Sequence, residues 1–88
     1  MKTIVCRVMS QTEATLVKTK DGDKPKCFVR LKEIGDNFTD EYNCTVMGNL
    51  AQVKFQVGEV VAAAIKFRLH EFEGNLYQDI TAEDIVQI

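Results

Sequence analysis

The chain of 88 residues has no tryptophan, one histidine, one proline and three cysteines. With His70 as the sole histidine, a nucleophile–base triad has a single candidate base, and no serine or cysteine lies near it in sequence. Cys6, Cys27 and Cys44 are odd in number, widely spaced and never C-x-x-C, which argues against a zinc site and reads as small buried hydrophobes kept reduced. No apolar run approaches ~18 residues, which excludes a helical membrane span. The N-terminus shows neither an apolar h-region nor a small-residue cleavage site, so a cytoplasmic location is the expectation. The five glycines are scattered at turns and form no phosphate-cradling loop. There is no internal repeat, linker or low-complexity segment.

What is present is ordinary in amount and uneven in placement. Apolar residues make up 45% and charged residues 27%, the balance of a globular chain. One domain, residues 1–88, is expected. At this length folding buries only ~60–65% of the unfolded surface, so the core is thin and dimerisation would help it. Net charge is −2, yet residues 1–32 hold eight cations against three carboxylates and the remainder holds three cations against ten. Such asymmetry suggests a basic side facing a partner, unless the charges merely alternate on solvated faces.

Period-two patterning dominates. Residues 3–17 read as one long bending strand with Ile4, Cys6, Val8, Ala14 and Leu16 in phase. Lys18 to Lys26 reads as a turn, with Asp21-Gly22 reversing the chain and Pro25 ending any pairing; it is either a solvated tip or a basic loop that grips phosphates. Cys27 to Lys32 is a second strand with Cys27, Val29 and Leu31 inward. Burying Arg30 and Lys32 would be costly, so Phe28 shares the outer face with them. Its ring either stacks bases or packs under a loop or a second subunit.

A polar connection containing Gly35, Asp36, Asn37 and an exposed Phe38 leads to a third strand from Tyr42 to Met47, with Cys44 and Val46 inward and Thr45 and Met47 opposite. Asn49 to Phe55 has room for about one helical turn, capped by Asn49 and plugging the core with Leu50, Val53 and Phe55. A long hairpin follows from Gly58 to Thr81, turning at Glu73-Gly74-Asn75. Val61, Ala63, Ile65, Phe67 and Leu69 share one phase, and Lys66, Arg68 and His70 the other. Val60 to Ile65 is apolar on both faces, so cover on both sides is expected. After a break at Glu83-Asp84, Ile85, Val86 and Ile88 form a last packed segment.

Three strands, a short helix and two strands give an all-β, five-stranded OB-fold Greek-key barrel, with the helix between strands three and four. Its usual ligand surface is the outer face of strands two and three with the flanking loops, which would carry Phe28, Arg30, Lys32, Thr45 and Met47.

From Tyr42 onward the chain resembles bacterial single-stranded-DNA-binding proteins, and especially small OB-fold relatives catalogued as a domain of unknown function. The residues that carry this are Cys44-Thr45-Val46-Met47-Gly48, the stretch Phe55-Gln56-Val57-Gly58-Glu59-Val60-Val61, and Glu71 to Ile80 (EFEGNLYQDI). The run Ile80 to Val86 resembles the closing strand of that family. The first half matches loosely, through Gly22-Asp23-Lys24-Pro25. The resemblance implies single-stranded DNA as partner, with RNA left open, and a place in DNA replication or repair. Met47 stands where these relatives often have a large aromatic, although a thioether can still contact a base face.

Two functions from different classes follow. The first is a non-catalytic single-strand-binding module. In it Phe28, Phe72 and Tyr77 stack bases, Lys24, Lys26, Arg30, Lys32, Lys66 and Arg68 neutralise phosphates, and Thr45 and Met47 complete the face. No cofactor, metal or catalytic residue is expected. The second is an assembly barrel, a homodimer or higher homo-oligomer, in which Val60, Ala62 and Ala64 meet another subunit.

Overall fold

The computed structural model describes residues 2–35 and 40–88. The expectations for Asp36, Asn37 and Phe38 lie outside these. Six strands form: β1 (Lys2–Gln11), β2 (Thr15–Thr19), β3 (Gly22–Glu33), β4 (Glu41–Met47), β5 (Val60–Phe72) and β6 (Asn75–Gln87). A 3-10 turn, Gly48–Gln52, joins β4 to β5. The sheet order is β1-β5-β6-β4-β3-β2, and β1 also pairs with β3, which closes the ring. The ladders are antiparallel except for one parallel bridge between β4 and β6 at Thr45 and Thr81. With β1 and β2 taken as one interrupted strand, this is the expected OB-fold order.

The interruption corrects one expectation. β1 ends its pairing with β3 at Gln11↔Val29, and β2 resumes at Thr15↔Lys26. Three residues, Thr12 to Ala14, therefore face two, Cys27 and Phe28; this follows a register shift between Val8 and Ser10, and the two together return Leu16, opposite Pro25, to the inward phase. Ala14 and Leu16, expected inward, are exposed: Ala14 lies in the interruption, and Leu16, at 70%, sits where β2 pairs with β3 alone.

Elsewhere inward phase and burial agree. Ile4, Cys6 and Val8 from β1, Cys27, Val29 and Leu31 from β3, Tyr42, Cys44 and Val46 from β4, and Val61, Ala63 and Ile65 from β5 are all buried. Ala82 and Ile85 of β6 join them. Burial pushes the thiols of Cys6 and Cys44 up to about 11; Glu33 adds to the first and Cys6 to the second.

The plug differs in detail. Ala51 and Phe55 are the buried residues, Leu50 is partly buried against the core, and Val53 is exposed. The 3-10 turn is only five residues long, preceded by an extended Met47, and carries no side-chain cap; Asn49 does not serve as one. Gln11 holds the chain that follows: its amide nitrogen donates to the Val53 carbonyl at 2.8 Å and its oxygen accepts from the Phe55 N–H at 2.9 Å.

Both hairpins are tighter than expected. The first turns within Lys20-Asp21, and Lys24, Pro25 and Lys26 are paired with β2. Pro25 is tolerated because the β3–β4 ladder reaches only to Lys26↔Met47, leaving β2 as its one paired neighbour. The second turns within Glu73-Gly74, and Asn75 already pairs with Phe72. Glu73 (φ 51°) and Gly74 (φ 79°) both have positive φ, the signature of a type I′ turn. β6 has no break at Glu83-Asp84: Ala64 pairs with Asp84 and Ile65 with Ala82, so Glu83 is a single bulged residue within a continuous strand.

β5 outruns the barrel. Its ladder with β1 ends at Lys2↔Ile65. Beyond that point β5 and β6 continue as a two-stranded arm, so Phe67 and Leu69 keep the inward phase yet stay exposed, Leu69 to 65%. The edge of the Phe67 ring meets Tyr42, 6.1 Å between centroids. On the opposite phase Val60, Ala62 and Ala64 are half-buried, and the expected cover on both sides does not arise within one chain.

Candidate nucleic-acid interface

Alternation sorts the outer face strand by strand. In β3 the residues between the buried Cys27, Val29 and Leu31 point outward: Phe28, Arg30 and Lys32, with Lys24 and Lys26 continuing that phase toward the tip. In β4 the corresponding set is Glu41, Asn43, Thr45 and Met47. Register places Lys26 opposite Met47, Phe28 opposite Thr45, Arg30 opposite Asn43 and Lys32 opposite Glu41. The parallel bridge joins Thr45 to Thr81, and Thr81 pairs with Lys66. One row thus crosses four strands: Phe28, Thr45, Thr81, Lys66. From Lys66 the same phase climbs the arm through Arg68, His70 and Phe72, facing Asp79, Tyr77 and Asn75.

The eleven residues singled out in the sequence therefore fall on one outward phase, although they come from four different strands. Phe28 is 39% exposed, and Lys26 Nζ lies 5.2 Å from its ring centroid. That cation–π contact holds a positive charge over one face of the ring. Phe72 and Tyr77 are exposed, and Tyr77 meets His70 edge-on at 5.8 Å. His70 Nδ1 lies 3.1 Å from Asp79 Oδ2.

The cations are not equally available. Arg30 directs Nε at 2.9 Å and Nη2 at 2.7 Å to the same oxygen of Glu41. Lys24 lies 3.9 Å from Asp21. Arg7, outside the original set, donates to the Gly58 carbonyl at 2.8 Å and sits opposite Lys32 in register. Among the described residues Lys26, Lys32, Lys66 and Arg68 make no ion pair.

Sequence reasoning missed Glu41, Asn43 and Thr81. Extending the alternation of the third strand back from Thr45 would have found the first two. That Glu41 takes Arg30 is a cross-strand fact with no local signal. Among the described residues there is no cluster of three or more histidine, cysteine, aspartate or glutamate side chains fit to hold a metal, and no helix is long and apolar enough to cross a membrane.

Against solved structures, the chain is similar to a small single-stranded DNA-binding protein from Streptomyces coelicolor. The TM-score is 0.55 at 17% identity, over 99% of this chain and 92% of that one. The likeness is one of fold. No protein-family model matches the sequence, and no curated protein does.

Proposed function

We propose that this is a non-catalytic, cytoplasmic single-stranded nucleic-acid-binding protein, with single-stranded DNA as its ligand, that uses the outer face of β3 and β4 and the β5–β6 arm. The observation that carries this reading is the continuous row from Phe28 to Lys66, with exposed rings at Phe28, Phe72 and Tyr77 and cations interleaved among them. Rings stack bases without regard to sequence, and lysine and arginine release counterions from the backbone. The fold-level neighbour, itself named as a single-stranded DNA-binding protein, supports the same reading. The test is anisotropy of a fluorescent oligo-dT with micromolar protein at low salt. Binding that falls steeply with salt and weakens in Phe28→Ala supports the proposal; no binding at low salt sinks it.

A second reading rests on a separate surface. Val5, Ala62 and Val86 form a cross-strand row on the outside of β1, β5 and β6, and Val5 and Val86 are about half exposed. Ile34, bonded to the Val5 carbonyl, and Ile88, bonded to the Val60 carbonyl, extend the apolar area. A second copy of the chain seated there would supply the missing cover and align two binding faces. Sedimentation giving a dimer that Val86→Asp dissociates supports this; a strict monomer at high concentration refutes it.

A further inference from the structure

The ladder along β3 has a gap beside its best stacking ring. β1 pairs with residues 29–33 and β2 with residues 22–26, and neither reaches Phe28. Thr12 fills the place. Its N–H donates to the Phe28 carbonyl at 2.9 Å, and its Oγ1 accepts from the Phe28 N–H at 2.9 Å. The segment that makes these bonds is one wall of a groove of about 610 Å³. Thr12, Glu13 and Ala14 line it from this segment, and Gln52, Lys54 and Val57 from the chain after β4. Both walls are fixed, the first through Phe28 and the second through the bonds of Gln11 to Val53 and Phe55. The groove is thus preformed and adjoins Phe28 through Thr12, which both lines it and bonds the Phe28 backbone.

Its lining is mixed in a useful way. Ala14 and Val57 offer apolar area, Lys54 offers a cation, and Glu13 and Gln52 offer hydrogen-bonding groups. Among the described residues Lys54 makes no ion pair. The volume falls within the ~300–1,000 Å³ of clefts that hold small organic ligands.

We infer that the groove receives the nucleotide of the bound single strand that follows the base stacked on Phe28. Lys54 meets its phosphate, and Glu13 accepts from an exocyclic amino group on its base, a contact that cytosine offers and thymine lacks. This deepens the single-strand-binding reading and rests on it.

The experiment is a ladder of fluorescent oligo-dC from about 4 to about 16 nucleotides, the range a single OB-fold covers. It is titrated against wild type, Lys54→Ala, Val57→Glu and Phe28→Ala, with oligo-dT in parallel. Oligomers too short to pass Phe28 are expected to bind both groove variants as they bind wild type. Longer ones should bind Lys54→Ala about three- to tenfold more weakly, with a salt slope lower by about 0.7, the value for one phosphate contact on a single strand. Val57→Glu should act in the same length-dependent way, and the preference for dC over dT should appear only in the longer oligomers. If the groove variants affect all lengths equally, or none, while Phe28→Ala still weakens every length, the groove inference is overturned and the face reading stands. If no oligomer binds wild type, both fall.

Discussion

Glu41→Gln is expected to tighten single-strand binding. In the protein as folded, Glu41 Oε1 takes two guanidinium nitrogens of Arg30, at 2.7 and 2.9 Å, at the Lys32 end of the β3–β4 face. The two side chains are 56% and 39% exposed. An exposed pair of this kind stabilises by only about 0–1 kcal/mol, so its loss leaves the fold intact. The effect on binding has two parts. A carboxylate about 6 Å from a bound phosphate repels it by about 0.7 kcal/mol in water. Freeing Arg30 from its partner adds about 0.5 kcal/mol. Together these come to about 1 kcal/mol, or about fivefold in Kd. The regained contact should steepen the salt slope by about 0.7. The assay is oligo-dT anisotropy across a salt series, with Arg30→Ala and the double variant beside it. Because affinity rises, loss of folding cannot imitate the result. Unchanged or weaker binding of Glu41→Gln, with an unchanged slope, would falsify the assignment of Arg30 to the ligand.

Other outcomes follow from the same geometry. Phe28→Ala should weaken oligo-dT binding by about 1–3 kcal/mol if one base stacks there, with little change in melting temperature because the ring lies outside the core. Ile65→Ala, at a fully buried site, should cost about 2–5 kcal/mol in denaturant unfolding and leave the per-molecule affinity of the folded fraction unaltered. Glu73→Asn puts Asn-Gly into the type I′ turn, where asparagine accepts positive φ more readily than glutamate, and amide exchange at the arm tip should slow. Burial pushes the thiols of Cys6 and Cys44 up to about 11 from the ordinary thiol value of 9.0. Folding therefore favours the protonated thiols: their contribution is full below pH 9 and is lost as pH rises to 11. Tyr42, raised chiefly by burial and then by Glu33, adds in the same direction. Melts under reducing conditions should show stability falling between pH 9 and 11, and less so in Cys6→Ala/Cys44→Ala; an equal fall in both proteins would dismiss the thiols.

Much of the fold was legible because strands alternate with a period of two and cations resist burial. That is enough to put Cys27, Val29 and Leu31 inside and Phe28, Arg30 and Lys32 outside, and to recognise the OB-fold order. Where alternation is interrupted, local reading fails. The register shifts at Val8/Ser10 and at Thr12–Ala14 split the expected first strand without a local signal, and the bulge at Glu83 looked like a break because a bulge has no fixed sequence signature.

By itself, then, the sequence determined the inward and outward phases of each uninterrupted strand, the order of the elements and which cations and rings share the outward phase. Only the tertiary structure decided how far each strand is covered. Phe67 and Leu69 continue a core pattern but are exposed, since β1 stops pairing at Ile65 and, among the described residues, no further strand pairs with β5 along the arm except β6. It also decided which cations are engaged, because Glu41 reaches Arg30 across a ladder that no local pattern specifies. The same holds for the groove beside Phe28: it exists where β1 and β2 fail to meet, and that gap depends on both strands finding their register on β3.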